Sequence, residues 1–156
     1  MRRQEREIKN EETILAMLEQ SPVARMATVN QKGYPVIKPV NFIYWAGKIY
    51  FHSSKRGEKI KDIRRGSLVS FLVDEPIAYV SAKGPACAGS FYYRSIILKG
   101  KATLVGQRGK KMEILERLME KYQPEGGYEG ISEEVLKKTA VIEITPDEIT
   151  GKENLG

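Results

Sequence analysis

The stretch from Ile49 to Arg65, IYFHSSKRGEKIKDIRR, gathers the side chains best suited to hold an anion. His52, Ser53 and Ser54 supply an imidazole and two hydroxyls. Lys55, Arg56, Lys59, Lys61, Arg64 and Arg65 are six cations against two anions, Glu58 and Asp62, so the stretch carries +4 of the chain's +6. Ile49, Tyr50 and Phe51 favour a strand. Ile60 and Ile63, three apart, predict one apolar helix face, with Lys59, Lys61, Asp62, Arg64 and Arg65 on the others. Gly57, between the two, can take a positive φ. A strand that turns directly into a helix presents backbone N–H groups without partners. Together with two hydroxyls and Lys59 in the first helical turn, these donors form a phosphate site. A solvated, charged helix face accounts for the same composition. Neither G-x-x-x-x-G-K-[ST] nor G-x-G-x-x-G occurs, which excludes a P-loop and a dinucleotide fingerprint.

Other reactive residues are few. His52 is the only histidine, and no Ser and Asp arrangement around it suggests a catalytic triad. Its two readings are a packed strand residue and a ligand or substrate contact able to donate a proton near neutral pH. Cys87 is the only cysteine, so no internal disulfide forms; it reads as a small buried residue, and a reducing compartment follows.

The elements around these residues fit a chain of 156 residues, 41% hydrophobic and 29% charged, which is ordinary for one globular domain. Residues 4–20 read as a helix with an Ile8, Leu15 and Leu18 stripe, stopped by Ser21-Pro22. Residues 23–30 read as a strand, Gln31-Lys32-Gly33 as a turn, and residues 34–45 as one second strand. Pro35 and Pro39 lack N–H donors and confine that strand to an edge or a bulge. Ala46-Gly47-Lys48 turns into the Ile49–Ser53 strand, completing a three-stranded meander. Gly66 stops the helix at 58–65. Residues 67–74 form an apolar strand, with IAYVSAK a second short candidate, and 84–90 a loop of small residues. A long strand at 92–105 bends at Gly100. Residues 108–122 show helical spacing through Met112, Leu115, Leu118, Met119 and Tyr122. A Gly-rich loop, a short helix capped by Ser132 and a final strand at 140–145 follow. The barrel core thus spans 23–105, with helices over 106–139.

About six strands with peripheral helices predict a mainly β, α+β fold built as a small antiparallel barrel; a Rossmann fold is excluded by the missing βαβ alternation. No apolar run is long enough to cross a bilayer, and MRRQEREIKN is too polar for a secretory leader, so a soluble cytoplasmic protein is expected. The sequence pI of 9.3 admits nucleic acid, but no interleaved aromatics form a stacking platform, so nucleic acid is not expected.

Taken in order, RMATV (25–29), GYPVIKPVNF (33–42), IYFHSSKRGEKIKDIRR (49–65), YRSIILKGKATLV (93–105) and IEITPDEITGK (142–152) resemble the flavin-binding split barrels related to pyridoxamine 5′-phosphate oxidase. The branch most like them contains the nitroimidazole-resistance proteins. The resemblance covers most of residues 14–152. It implies a homodimer of antiparallel split β-barrels with FMN bound between the subunits. It places Arg25, Met26, Ala27 and Thr28 along the isoalloxazine and Asn41 where the second strand passes the flavin. It places His52, Ser53 and Ser54 at the ribityl-phosphate end, Lys59 on the phosphate, and Tyr93, Arg94 and Ser95 of the partner subunit against the ring. The implied activity is FMN-dependent reduction of a small planar acceptor such as a nitro-aromatic, with NAD(P)H as a candidate donor and His52 as a candidate proton donor. The alternative is a protein that holds flavin, deazaflavin or haem without turnover. The oxidase branch has an Arg-Lys pair where this chain has Glu58-Lys59, and its C-terminal substrate-phosphate residues are absent here. Pyridoxamine 5′-phosphate is therefore not the expected substrate.

Overall fold

Asn10 starts the first helix: its side-chain oxygen accepts from Thr13 N at 3.1 Å and caps α1, Glu11–Gln20. The computed structural model describes residues 3–156. The helix expected over 4–20 is therefore shorter. Gln4–Arg6 form a 3-10 turn, and Ile8 N instead bonds Gly151 O at 3.1 Å. Then follow β1 (Ala24–Val29), β2 (Pro35–Val40), β3 (Ile43–Trp45), β4 (Lys48–Ser54), α2 (Glu58–Arg64), β5 (Leu68–Val80), β6 (Ser90–Leu104), α3 (Arg108–Tyr122), α4 (Glu133–Lys138) and β7 (Thr139–Asn154).

The strands form one seven-stranded sheet in the order β2-β1-β5-β6-β7-β4-β3, with every neighbouring pair antiparallel. Its two end strands, β2 and β3, are joined in the chain only by Asn41 and Phe42. The sheet must therefore roll until its ends nearly meet, which makes a barrel. The single second strand expected over 34–45 is thus two strands at opposite ends of the sheet, and the expected three-stranded meander does not form. Pro35 and Pro39 do lie on an edge strand.

Two hydrophobic clusters follow from the two sheet faces. Met26, Phe42, Phe51, Phe71, Ile96, Leu98, Ile142 and Ile144 fill the barrel, and Leu18 of α1 with Ile60 and Ile63 of α2 close it. Fully burying each of those isoleucines stabilises by roughly 1.5–3 kcal/mol. On the outside, Ile114, Leu115 and Leu118 of α3 and Leu136 of α4 pack on Ile43, Tyr50 and Val141. Ser132 caps α4, its hydroxyl accepting from Val135 N at 3.3 Å.

Two strands run further than their composition suggests. β5 continues through IAYV as the partner of β6, across a register shift at Pro76/Ala78. β7 extends to Asn154 instead of ending at residue 145, because β6 is long enough to pair with it throughout. Gly100 makes that pairing possible: a Cβ there would lie 2.1 Å from Thr145 O, and Pro146, with no N–H to give, falls at the same register shift. Cys87, expected to be buried, is exposed in the 3-10 turn Ala86–Ala88 of the β5–β6 connection.

Glu143 of β7 locks the outer layer. It accepts from Lys48 Nζ (2.6 Å), Lys110 Nζ (2.5 Å) and Tyr50 OH (2.9 Å), joining β4, β7 and α3. Burial alone would raise its pKa; the bonds from Lys110, Lys48 and Tyr50 outweigh it and hold the carboxyl at about 2, against an ordinary 4.5. A carboxylate depressed on folding adds stability that is complete above its unfolded pKa and lost on acidification through the folded one. Wild-type thermal stability should therefore decline between about pH 4.5 and 2, and Glu143→Gln should flatten that decline while lowering Tm at pH 7. An unchanged acid profile in the variant, read by circular dichroism melts, would remove Glu143 from this role.

Candidate functional site

The turn after β4 is built to reverse the chain quickly. Ser54 Oγ accepts from Arg56 N at 3.1 Å, and Gly57 takes φ +118°, which a side chain resists. The far end of α2 closes as a Schellman motif: Gly66, at φ +84°, donates to Ile63 O (2.9 Å) and Ser67 N to Asp62 O (3.0 Å).

Asp62, expected on a solvated face, is buried at 2% exposure. It accepts from Thr28 Oγ1 at 2.8 Å and pairs with Arg65 Nη1 at 3.2 Å. Arg65 Nη2 in turn donates to Val29 O at 2.5 Å, Ser67 Oγ accepts from Val29 N at 2.9 Å, and Asn30 Nδ2 donates to Glu58 Oε1 at 3.2 Å. These contacts staple α2 along β1, so the short helix is held by side chains at both ends. In composition Asp62 looked like any other charge on a helix; only its tertiary partners set it apart.

Held there, Lys59 is half-buried, with Nζ 5.8 Å from the centroid of the Phe51 ring. Its pKa is lowered by burial and then by the charge of Lys38 on β2. His52, exposed on β4, has its pKa lowered by crowding of protein around the ring and then by Lys59. Lys38, which sequence reasoning missed, lies 3.9 Å from Glu58. Nothing in the pattern VIKPV signals that this lysine meets the helix; the β1–β2 register, Met26 opposite Lys38, puts it there. The structure thus brings His52, Ser53, Ser54 and Lys59 to the junction of β4 and α2, with Lys38 beside them, but alternation puts Ser53 on the barrel face of β4 with Phe51, and His52 and Ser54 on the outer face with Tyr50. Both influences on His52 disfavour its charged form.

Strand alternation divides the remaining residues. On β1, Arg25 and Ala27 face outward while Met26 and Thr28 point into the core, so the latter two offer only backbone to the outer face. Arg25 is paired with Asp74 at 2.6 Å. Asn41 is exposed beside the β2–β3 break. The Tyr122 hydroxyl accepts from Phe42 N (2.9 Å), and Lys121 Nζ donates to the carbonyls of Ser21 (2.8 Å) and Phe42 (3.0 Å). Burial holds Lys121 at about 8. Tyr93 and Ser95 lie on one face of β6 and Arg94 on the other, where it pairs with Glu153 at 3.1 Å. Tyr93 and Arg94 of one copy therefore cannot flank the same ring from one side. Nor do they meet His52: Leu104, not Tyr93, is the β6 residue near its level, through the pairs His52–Val141 and Leu104–Ile142. Tyr93 is roughly 35 Å further along the strand.

A rolled antiparallel sheet whose end strands are consecutive, plugged by a short cationic helix, is a split β-barrel. The chain belongs to the pyridoxamine 5′-phosphate oxidase family, whose model matches residues 10–153. A comparison with curated proteins finds no match. Among solved structures, a proposed 5-nitroimidazole antibiotic resistance protein from Bacteroides thetaiotaomicron superposes at a TM-score of 0.81, with 22% identity over 94% of this chain and 86% of that one. The FAD and heme binding protein from Mycobacterium smegmatis superposes at 0.88, with 21% identity over 97% and 74%. The flavocytochrome Anf3 from Azotobacter vinelandii superposes at 0.86, with 23% identity over 96% and 70%. At these identities the likeness is one of fold. Among the described residues, no helix is long and apolar enough to cross a membrane.

The coupling of the cations is directly measurable. The His52 ring should titrate below 6.5 by NMR in the ligand-free protein, and Lys59→Ala should move that pKa upward, because a neighbouring positive charge is removed. A His52 titration unmoved by Lys59→Ala would place the two groups too far apart to share a ligand.

Proposed function

We propose that the chain binds FMN between two copies of itself and serves as a flavin-dependent reductase of a small planar acceptor. The observation that carries this reading is the half-buried Lys59 in the first turn of α2, over the Phe51 ring on the barrel face that Ser53 shares, with Lys38 of β2 beside the same turn at 3.9 Å from Glu58. Burial and then the charge of Lys38 lower the pKa of Lys59, and burial and then the charge of Lys59 lower that of His52. A phosphate dianion relieves both repulsions, so the cluster suits a terminal phosphomonoester, which FMN has and riboflavin lacks. Where the oxidase branch has an arginine, Glu58 stands here, tied to Asn30, and Lys38 supplies the second cation. Solved structures of this fold include an FAD and heme binding protein, a flavocytochrome and an F420 reductase, which supports a ligand of the flavin class.

Strand length supports two copies if one ligand is to touch both His52 and Tyr93. His52 and Tyr93 are separated by more strand than a mononucleotide can bridge, so a ligand touching both takes Tyr93 and Ser95 from a second chain. The outer face of β1, β2, β5 and β6 is suited to receive that chain. Val29, Ile37, Leu68 and Ile97 lie on it at 46%, 64%, 63% and 43% exposure, and an apolar face of this extent needs cover.

FMN, when bound, supplies the hydride chemistry. The chain's part is to hold and orient. Lys38 and Lys59 neutralise the phosphate, Ser53 and Ser54 add hydroxyl donors, and the His52 ring offers an N–H toward the ribityl chain or an acceptor at the ring edge. The names of the FAD and heme binding protein and the flavocytochrome favour a second reading, a carrier that holds flavin or haem without turnover. Stopped-flow bleaching by NAD(P)H, followed by recovery with nitro-aromatic or quinone acceptors, separates the two. Reoxidation no faster than that of free FMN would leave only the carrier.

Lys59→Ala should weaken FMN by on the order of ten- to a hundredfold, the worth of a charged hydrogen bond of about 1.5–3 kcal/mol. Lys38→Ala should act in the same direction, and Lys61→Ala should have little effect. Titration calorimetry with FMN and riboflavin checks this; equal affinity for the two flavins would end the phosphate-site reading. Ile37→Asp with Leu68→Asp should convert a dimer in light scattering to monomer and lose FMN with it. A double variant that stays dimeric would move the interface elsewhere.

A further inference from the structure

A second group of cations lies on the other side of α2. Lys55 follows β4, Arg64 ends α2, and Lys111 stands in the first turn of α3. They line a cavity of about 250 Å³ with apolar walls from Leu104, Val105 and Val141, and no carboxylate lines it. None of the three cations forms an ion pair with any described residue. Lys111 is fixed in place: its Nζ donates to the carbonyls of Leu136 at 2.5 Å and Thr139 at 2.8 Å, leaving one N–H to aim into the cavity. Burial and then the charge of Lys55 lower its pKa, so Lys55 and Lys111 already repel across this space.

The cluster is distinct from the one at Lys59. Lys59 and Arg64 are five positions apart on a helix, which places them about 140° apart around its axis. Lys59 is coupled to Lys38 and His52, whereas Lys55 is coupled to Lys111. Like charges gathered around a low-dielectric wall are stabilised by a bound counter-ion more than by diffuse salt. We propose that this cavity is a second oxyanion site, taking the phosphate group of a small molecule independently of the flavin. Its volume is below the roughly 300–1,000 Å³ of pockets that enclose drug-sized ligands, so it admits a phosphate with a short tail and excludes a whole flavin.

Inorganic phosphate is the probe, and thermal unfolding the readout, against chloride at matched ionic strength. In FMN-saturated wild type, phosphate should still raise Tm. Lys55→Ser with Arg64→Ser should weaken the phosphate response roughly tenfold or more while leaving FMN affinity in place. Arg64→Lys should keep most of the response, and flavin-free Lys59→Ala should keep the part of it that depends on Lys55 and Arg64. A response that disappears when wild type is saturated with FMN would show that phosphate had entered the flavin's own site, and would overturn the proposal. So would an equal response in wild type and in the double variant. A chain that takes no flavin leaves the test intact, because flavin-free wild type must then show the same dependence on Arg64.

Discussion

The chain can close its sheet only because two residues, Asn41 and Phe42, carry it from one edge to the other. Leaving a ladder exposes backbone donors and acceptors that cost free energy if buried unpaired. Phe42 is fully buried and packs edge-on against Phe71, centroids 5.0 Å apart, so its polar backbone has no access to water. The end of α3 answers that need. The Tyr122 hydroxyl takes the Phe42 N–H, and Lys121 Nζ takes its carbonyl while covering the ring at 4.3 Å. The same two side chains reach Ser21 and Pro22, the residues that lead from α1 into β1. One helix end thereby fixes the closure of the barrel, the entry to β1 and the position of Asn41. That requirement gives α3 a purpose beyond covering Tyr50 and Val141.

Closing the sheet leaves an open end, and α2 plugs it. Seven residues bury only Ile60 and Ile63 firmly, which is little apolar area to hold a helix of that length. The buried Asp62 makes up the difference. Its carboxylate is satisfied by Thr28 and Arg65, so its burial is compensated and it couples helix to strand. The consequence for the site is precision. Lys59 lies one turn from Asp62, and its approach to Lys38 and His52 is set by that anchorage. Repulsion among three cationic or titratable groups would push a loosely held helix away; the Asp62 and Asn30 contacts keep it where the repulsion is felt.

How much of this was legible depended on whether the signal was local. The α3 spacing, the Gly66 stop, the Ser132 cap and the edge position of a strand with two prolines are all local, and all appear as expected. The break at Asn41 was hidden because apolar residues flank it on both sides, so VNFIYW looks like uninterrupted strand. PDEITGKEN in β7 looked like loop because one of its faces meets solvent and its pairing comes from β6, far away in sequence. Cys87 looked like core because cysteines usually are, but its turn projects from the barrel. Asp62 and Lys38 carried no signal at all: each acquires its role from a partner 34 or 20 residues away. Resemblance supplied the site in contiguous blocks, whereas a strand delivers alternate residues to opposite faces. Met26, Thr28 and Arg94 are therefore separated from their neighbours in sequence.

The length of β6 then decides what kind of site this can be. A barrel of short strands could bring its β4–α2 junction and its long hairpin to one pocket within a single chain. Here β6 spans fifteen residues, and its two ends serve different places. Near Leu104 it lies close to the level of His52 and walls the cavity of Lys55, Arg64 and Lys111; near Tyr93 it continues into the β5–β6 hairpin, where Tyr79 and Phe91 pair at 6.3 Å and remain 65% and 47% exposed. Aromatic side chains left on an extended arm are costly to hydrate unless they have somewhere to dock. The outward face that carries Tyr93, Phe91 and Tyr79 is continuous with the face that carries Ile97 and Leu68, so the proposed contact with a second chain would cover the apolar sheet and the arm together. Strand length, exposed apolar area and the position of the cations are thus the three features on which the proposed arrangement rests: an anion site from one copy, finished by the hairpin of another.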